Sequence, residues 1–545
     1  MTSPDLFDAV CHEFRVTPCG VDAVLKRKAR LHRSWLKLAS YWVIAYTLVA
    51  VLPGSGVAAQ KAAELSKKYH EENATGIIWD FREFLSVPNV AQNIDDMLVN
   101  ANFIENYIGK RGFQSEIISA GGAPYVIAER TGSPNAPVIL IYAHFDGQPV
   151  IPTNWSSPPF SPTLWTTNPL TAGASPLSWE QEHFDLEWRV VARSAGDDKA
   201  PLIALMAAID ALLAAEAMPD ITIKLLLDGE EERGSPTLRG ILDQVGQRLK
   251  ADIMLFCDGP MHQSGRRQLV LGVRGSMTID LKTFGANRPL HSGHYGNWAP
   301  NPNEILMRLL LSLKDESGRI LVEGFSENVA EVSKSERLAI EAMPLIDSQM
   351  KQELGLENSE IVGERLEASL MRPALIVKGF QGGGVGAISR NIIEPYAEAS
   401  LNLRLVSGQQ PERLAELLRS HFRKIGMSVS DREPSKEGPR ESHLQMSVRP
   451  GGYRSFRTSV ESEVVIKLKQ IMDRLGGQET LITPTMGGSL PIYLFEDRLN
   501  LPILILPTAN HDNNQHGRDE NLRIGNLFSA IELYAELLVG LAEEM

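Results

Sequence analysis

Cysteine is scarce in this chain. Its 545 residues include only Cys11, Cys19 and Cys257, which excludes a disulfide scaffold and a thiolate zinc finger. Any bound metal must therefore take its ligands from histidine and carboxylate. Positive charge is also in deficit, with 54 Lys and Arg against 67 Asp and Glu and a formal net charge of −13. Without a basic block beyond the first forty residues, the chain lacks the electrostatic footprint of a nucleic-acid binder. Cations suit it better. No internal repeat and no low-complexity tract stands out. What remains is 43% hydrophobic and 22% charged, the balance of a folded soluble protein long enough for two or three domains.

The N-terminus has its own order. A basic cluster at residues 26–33 precedes an apolar stretch, 38–52, which is shorter than the ~20 residues of a membrane span. Small residues Val57-Ala58-Ala59 follow. Charged, apolar, then small is the order of a secretory signal peptide. The expectation is a periplasmic or secreted protein cleaved after Ala59, whose true start lies further in, with an uncleaved N-terminal membrane anchor as the alternative.

Residues 69–85 and 95–111 have helical periodicity. Four apolar runs then share one plan. Residues 137–143 end at His144-Phe145-Asp146, 221–227 at Asp228-Gly229-Glu230-Glu231-Glu232, and 252–256 just before Asp258, while 501–506 lead toward His511 and His516. Such runs suit strands buried on both faces, and the helical stretch 200–215 between two of them argues for an α/β layered sheet. Ligands gather beyond the carboxyl ends of such strands, where all four polar clusters fall. Residues 276–282 and 397–405 instead alternate, as in an antiparallel sheet with one wet face, and 303–313 reads as a helix. The expected layout is an N-terminal extension (1–59), a catalytic domain in two parts (60–274 and 453–545) and an inserted α+β domain (275–452).

Singly, the clusters are weak. His144 could bind metal while Asp146 holds its other ring nitrogen, or the pair could be a polar strand edge. Asp197-Asp198 could be a turn that caps the next helix, a reading that suits Asp198. Three adjacent glutamates after a buried strand repel one another unless solvent or a cation compensates them. Asp258 and His516 are unremarkable alone. Together these positions supply two histidines and several carboxylates, a donor set for two bridged divalent cations that acidify water.

In this order, His144-x-Asp146, Gly196-Asp197-Asp198-Lys199, Glu231-Glu232-x-Gly234-Ser235, Asp258 and His516, the sequence resembles the zinc metallopeptidases that include carnosinases, cytosolic dipeptidases, aminoacylases and glutamate carboxypeptidase. The carnosinase and dipeptidase branch is the nearest. The resemblance covers nearly all of the chain after residue 70. It implies a zinc-exopeptidase-like layered catalytic domain with an inserted lid or dimerisation domain, and two zinc ions per chain, which manganese or cobalt could replace. One ion would sit on His144 and Asp258, the other on Glu232 and His516, with Asp197 bridging and the Asp197–Asp198 peptide cis. Asp146 would orient His144, and Glu231 would serve as general base. The resemblance further gives His291, in Pro289-Leu290-His291-Ser292-Gly293-His294, the task of polarising the scissile carbonyl in a neighbouring active site, hence a homodimer through the lid. Arg404, Gly488 and Ser489 would take the substrate's terminal carboxylate.

Three departures from the pattern touch no proposed ligand: Ala200-Pro201 after Lys199, Thr485-Met486 before Gly487, and Glu394 before Pro395. The function implied is hydrolysis of dipeptides, or of the C-terminal residue of short peptides. An N-acyl-amino-acid deacylase of the same fold is the alternative. A non-catalytic binding protein would be expected to have lost Glu231.

Overall fold

A computed structural model of the chain describes residues 55–545, Ser489 excepted. Helix α1 (Ser55–Leu85) is longer than the periodicity of 69–85 suggests. It buries Ala62, Ile77, Ile78, Phe81, Phe84 and Leu85. Helix α2 (Ile94–Gly109) follows, with the Asn93 side chain accepting the Asp96 N–H at its start.

Eight strands form the main sheet: β1 (Gln114–Ile118), β2 (Tyr125–Arg130), β3 (Val138–His144), β4 (Thr222–Asp228), β5 (Ile253–Phe256), β6 (Gln268–Val270) and, from the chain's last hundred residues, Leu481–Thr483 and Ile503–Ile505. Their spatial order is β1, β2, β4, β3, β5, Ile503–Ile505, β6 and Leu481–Thr483. The centre is parallel, with His144 level with Asp228 and Tyr142 level with Phe256. These apolar runs cover both faces because helices pack on each side, including α3 (Ala200–Ala214), nearly all of whose side chains are buried.

The second sheet has five strands. β7 (Gly275–Phe284) pairs antiparallel with β9 (Tyr396–Leu405), and β8 (Ala374–Gln381) lies beyond β9 at the edge. Alternation decides its faces. Met277, Ile279, Leu281, Leu401, Leu403 and Leu405 enter one core with residues of helices α4 (Pro302–Leu311) and α5 (Pro411–Lys424). The polar residues between them occupy the other face.

Between α4 and β8 lies a segment that alternation could not reveal. Its short helices, Lys334–Glu341, Asp347–Leu354 and Leu366–Leu370, tie back to residues of the main-sheet part through Arg457–Glu336 at 2.9 Å and His262–Glu367 at 3.5 Å. The chain ends in α6 (Ile524–Glu544). Among the described residues this is the one helix long and apolar enough to cross a membrane, and 78% of its apolar window is buried inside the protein. The basic cluster and apolar stretch read as signal or anchor lie outside the described residues. Val57-Ala58-Ala59, read as the cleavage segment, lies within the first turns of α1.

Candidate metal centre

The carboxyl ends of β3, β4 and β5 deliver His144, the loop after Asp228, and Asp258 to one place. His144 Nε2 lies 2.8 Å from Asp197 Oδ1, and Nδ1 lies 3.2 Å from Asp146 Oδ1. His516 Nε2 is 3.2 Å from both Asp197 Oδ2 and Glu232 Oε2. Two donor groups result, His144–Asp197–Asp258 and Asp197–Glu232–His516, each with ligand atoms within 4.8 Å of one another and Asp197 common to both. The Asp197–Asp198 peptide is cis.

The electrostatics fit a cation site. Burial pushes Asp258 up to about 7, with the Asp197 charge adding to it. Burial also works against ionisation of Asp197, but hydrogen bonds from His144 and His516 outweigh it and hold that carboxyl far below the usual range. The same bonds, with those of Asp146 and Glu232, act on the imidazoles. His144 is raised well above its ordinary value despite burial, and His516 rises to about 10. Protons on two imidazoles thus stand where the donor set calls for metal. Glu231, half-buried beside this cluster, is held well above the carboxylate range by burial and by the charges of Asp258, Asp146 and Glu232, against the opposing effect of His144.

Asp146 does more than face His144. Its two oxygens accept the backbone N–H groups of Glu231 at 3.0 Å and Glu232 at 3.1 Å. The three adjacent glutamates do not share one field, as their sequence suggested. Glu230 turns into a buried pocket and accepts from Ala123 N, Tyr125 Oη and Thr237, which leaves Glu231 and Glu232 at the cluster. Asp198 is not a helix cap either. It accepts the His144 N–H at 3.2 Å, and Lys199 is the residue immediately before α3.

Sequence reasoning missed Glu520. This buried carboxylate meets Arg193 Nη1 at 2.6 Å and accepts the backbone N–H groups of Ser194, Gly196 and Asp197 at 2.9–3.0 Å. Its signal was four residues past His516, but nothing local linked it to residue 197. Gln515 was missed too, and donates to Asp197 Oδ2 at 2.6 Å.

The other expected residues sit apart. His291 is exposed, in the short strand Leu290–His291, with its ring 4.5 Å from that of His294. Arg404 is half-buried in β9, opposite Ser276. Gly488 lies two residues after Met486, which bridges Val273 and closes on the space beside Gly259, next to Asp258. Ser489 lies outside the described residues.

A mixed sheet thus carries, at its carboxyl edge, a shared-aspartate, His–carboxylate donor set suited to metal ions. Residues 271–429 match the family model described as a peptidase dimerisation domain. The chain is 24% identical over 482 residues to the Cys-Gly metallodipeptidase dug1 of Schizosaccharomyces pombe, covering 84% of this chain and 94% of that protein. It is 22% identical over 429 residues to the Beta-Ala-His dipeptidase of Rattus norvegicus, covering 77% and 80%. The M20 family metallo-carboxypeptidase Sso-CP2 from Sulfolobus solfataricus superimposes with a TM-score of 0.71 at 28% identity, over 86% of this chain and 99% of the other. The di-peptidase Dug1p from Saccharomyces cerevisiae shares the fold, with a TM-score of 0.69 at 20% identity over 88% and 99%. The chain thus resembles the M20 peptidases, with its likenesses on the carnosinase and dipeptidase branch, and is a hydrolytic metallopeptidase. The same relatives overturn the expectation of a periplasmic or secreted product, and the anchor finds no support in them.

Proposed function

We propose that this enzyme removes the C-terminal residue from dipeptides or short peptides, using two zinc ions. His144, Asp197 and Asp258 would hold one ion and Asp197, Glu232 and His516 the other; manganese or cobalt would suit the same donors. The observation that carries the reading is the pair of donor groups sharing Asp197, with Glu231 next to the Glu232 ligand. The ions, when bound, supply Lewis acidity and acidify water. Asp146 fixes the His144 ring and, through two backbone N–H groups, the loop that presents Glu231. Glu231 takes a proton from the attacking water and delivers it to the departing amine, a task suited to a carboxyl whose affinity for protons is raised by its surroundings.

The catalytic domain is assigned to 60–274 and 453–545 and the lid to 275–452. The dimerisation-domain match supports a homodimer through the lid. The edge strand β8 carries exposed Ile376, Val377 and Phe380, a seam that a second copy would cover. His291, exposed in one copy, would then act at the partner's cluster, and Arg404 with Gly488 and Ser489 would hold the substrate's carboxylate.

Glu231→Gln tests this directly. Metal content should stay at that of the parent while release of amino acids from dipeptides falls by about 10³-fold. Undiminished hydrolysis would remove Glu231 from the role. A substrate panel with N-acyl amino acids separates peptidase from deacylase.

A further inference from the structure

Arg274 lies in the linker between the two sheets and takes no part in the chemistry above. It is 7% exposed, its Nε is buried without a hydrogen-bond partner, and among the described residues no carboxylate pairs with it. Arg189 and Arg193 are as deeply buried, yet each meets a carboxylate, Asp512 at 2.8 Å and Glu520 at 2.6 Å. A buried guanidinium without a carboxylate partner is costly, because its charge loses water without compensation. The charge that acts on Arg274 is of its own sign: burial first, then the neighbouring Arg404, lower its pKa to about 10.

The surroundings say where an anion would come from. Ser276, two residues on from Arg274, pairs with Arg404 across β7 and β9. The preceding residue, Val273, bridges Met486, which leads directly into Gly487-Gly488. Arg274 thus stands between the arginine and the glycine loop proposed to hold the substrate's terminal carboxylate, and on that reading it borders the pocket for the C-terminal residue.

We infer that Arg274 forms a subsite for a second anionic group, the side-chain carboxylate of an acidic C-terminal residue, so that the enzyme prefers peptides ending in Asp or Glu. Arg404 takes the main-chain carboxylate and Arg274 the side-chain one. A guanidinium suits this by its paired, fork-like donors.

The test compares the purified full chain with Arg274→Gln and Arg274→Lys on Ala-Glu and the near-isosteric Ala-Gln. The parent should favour Ala-Glu by at least ~10-fold in kcat/KM, a size set by one buried charge-assisted contact. Arg274→Gln should bring that ratio to about one through KM, and Arg274→Lys should keep part of it. A parent ratio near one, or an equal loss on both substrates in Arg274→Gln, overturns the assignment. Calorimetric titration with glutarate and with butyrate separates this from failure of the peptidase reading. If neither peptide is cleaved, tighter binding of glutarate than butyrate in the parent but not in Arg274→Gln still upholds the subsite, and equal binding refutes it.

Discussion

In the main sheet the central strands are mostly apolar, with Lys224 an exception, and polar groups cluster at their carboxyl ends; in the second sheet polar and apolar residues alternate along the two long strands. The first arrangement gathers the donor residues into a buried ring of hydrogen bonds, where Asp146, Asp198, Glu230 and Glu520 each hold backbone N–H groups in place. The second leaves Arg404 half-buried on its polar face, and His291, in a separate short strand pair of the same segment, is exposed. One region is organised within the chain. On the proposed function, a substrate or a second copy completes the other.

Asp197→Asn strikes hardest at the first region, because it weakens both donor groups together. Loss of most bound metal and a fall in hydrolysis of about 10³-fold or more are expected, read by elemental analysis and a dipeptide assay. Loss of metal from only one site would mean that the groups do not share this ligand. His291→Ala probes the second region. Activity should fall by about 10²-fold while metal content and melting temperature hold, since the ring is exposed; a fall in metal content would move His291 into the first region.

Glu520→Gln sharpens the contrast from the stability side. Breaking its buried pairing with Arg193 should cost about 3 kcal/mol, seen in denaturant melts, and lower metal affinity by about 10-fold or more. The smallest effect is the pH dependence of metal uptake. The imidazole of His516 keeps its proton up to about 10, and that of His144 is raised as well. Metal must displace these protons, so apparent affinity should rise between pH 6 and 8 by about 10-fold per unit for each proton released. A flat profile in competition titrations would show that the ligands bind metal without giving up protons.

The sequence made the strand ends legible because a continuous apolar run followed by charge is a local signal. His144, Asp197, Glu232, Asp258 and His516 do converge, and alternation did mark the two long strands of the second sheet. Partnerships across long separations were not legible. Glu520 reaches back more than three hundred residues to residue 197. Glu230 is indistinguishable by charge from its neighbours and differs only in the Tyr125 and Thr237 that receive it. The β1–β2 pair and the helices of 334–370 were missed because neither shows a long periodic pattern. The export reading rested on residues 26–59, most of which lie outside the described residues; α1 extends into the small-residue segment, and the relatives overturn the reading.

Asp146 ties three things that mutational analysis would treat as separate: the ring of His144 and the peptide groups of Glu231 and Glu232. Substitutions at these positions are therefore epistatic. With Asp146 replaced, a further change at Glu231 or His144 should cost much less than it does in the parent, since the base and the ligand have already lost their common support. Variation at any one of the three is judged against the state of the other two, and the cluster drifts, or fails, as a unit.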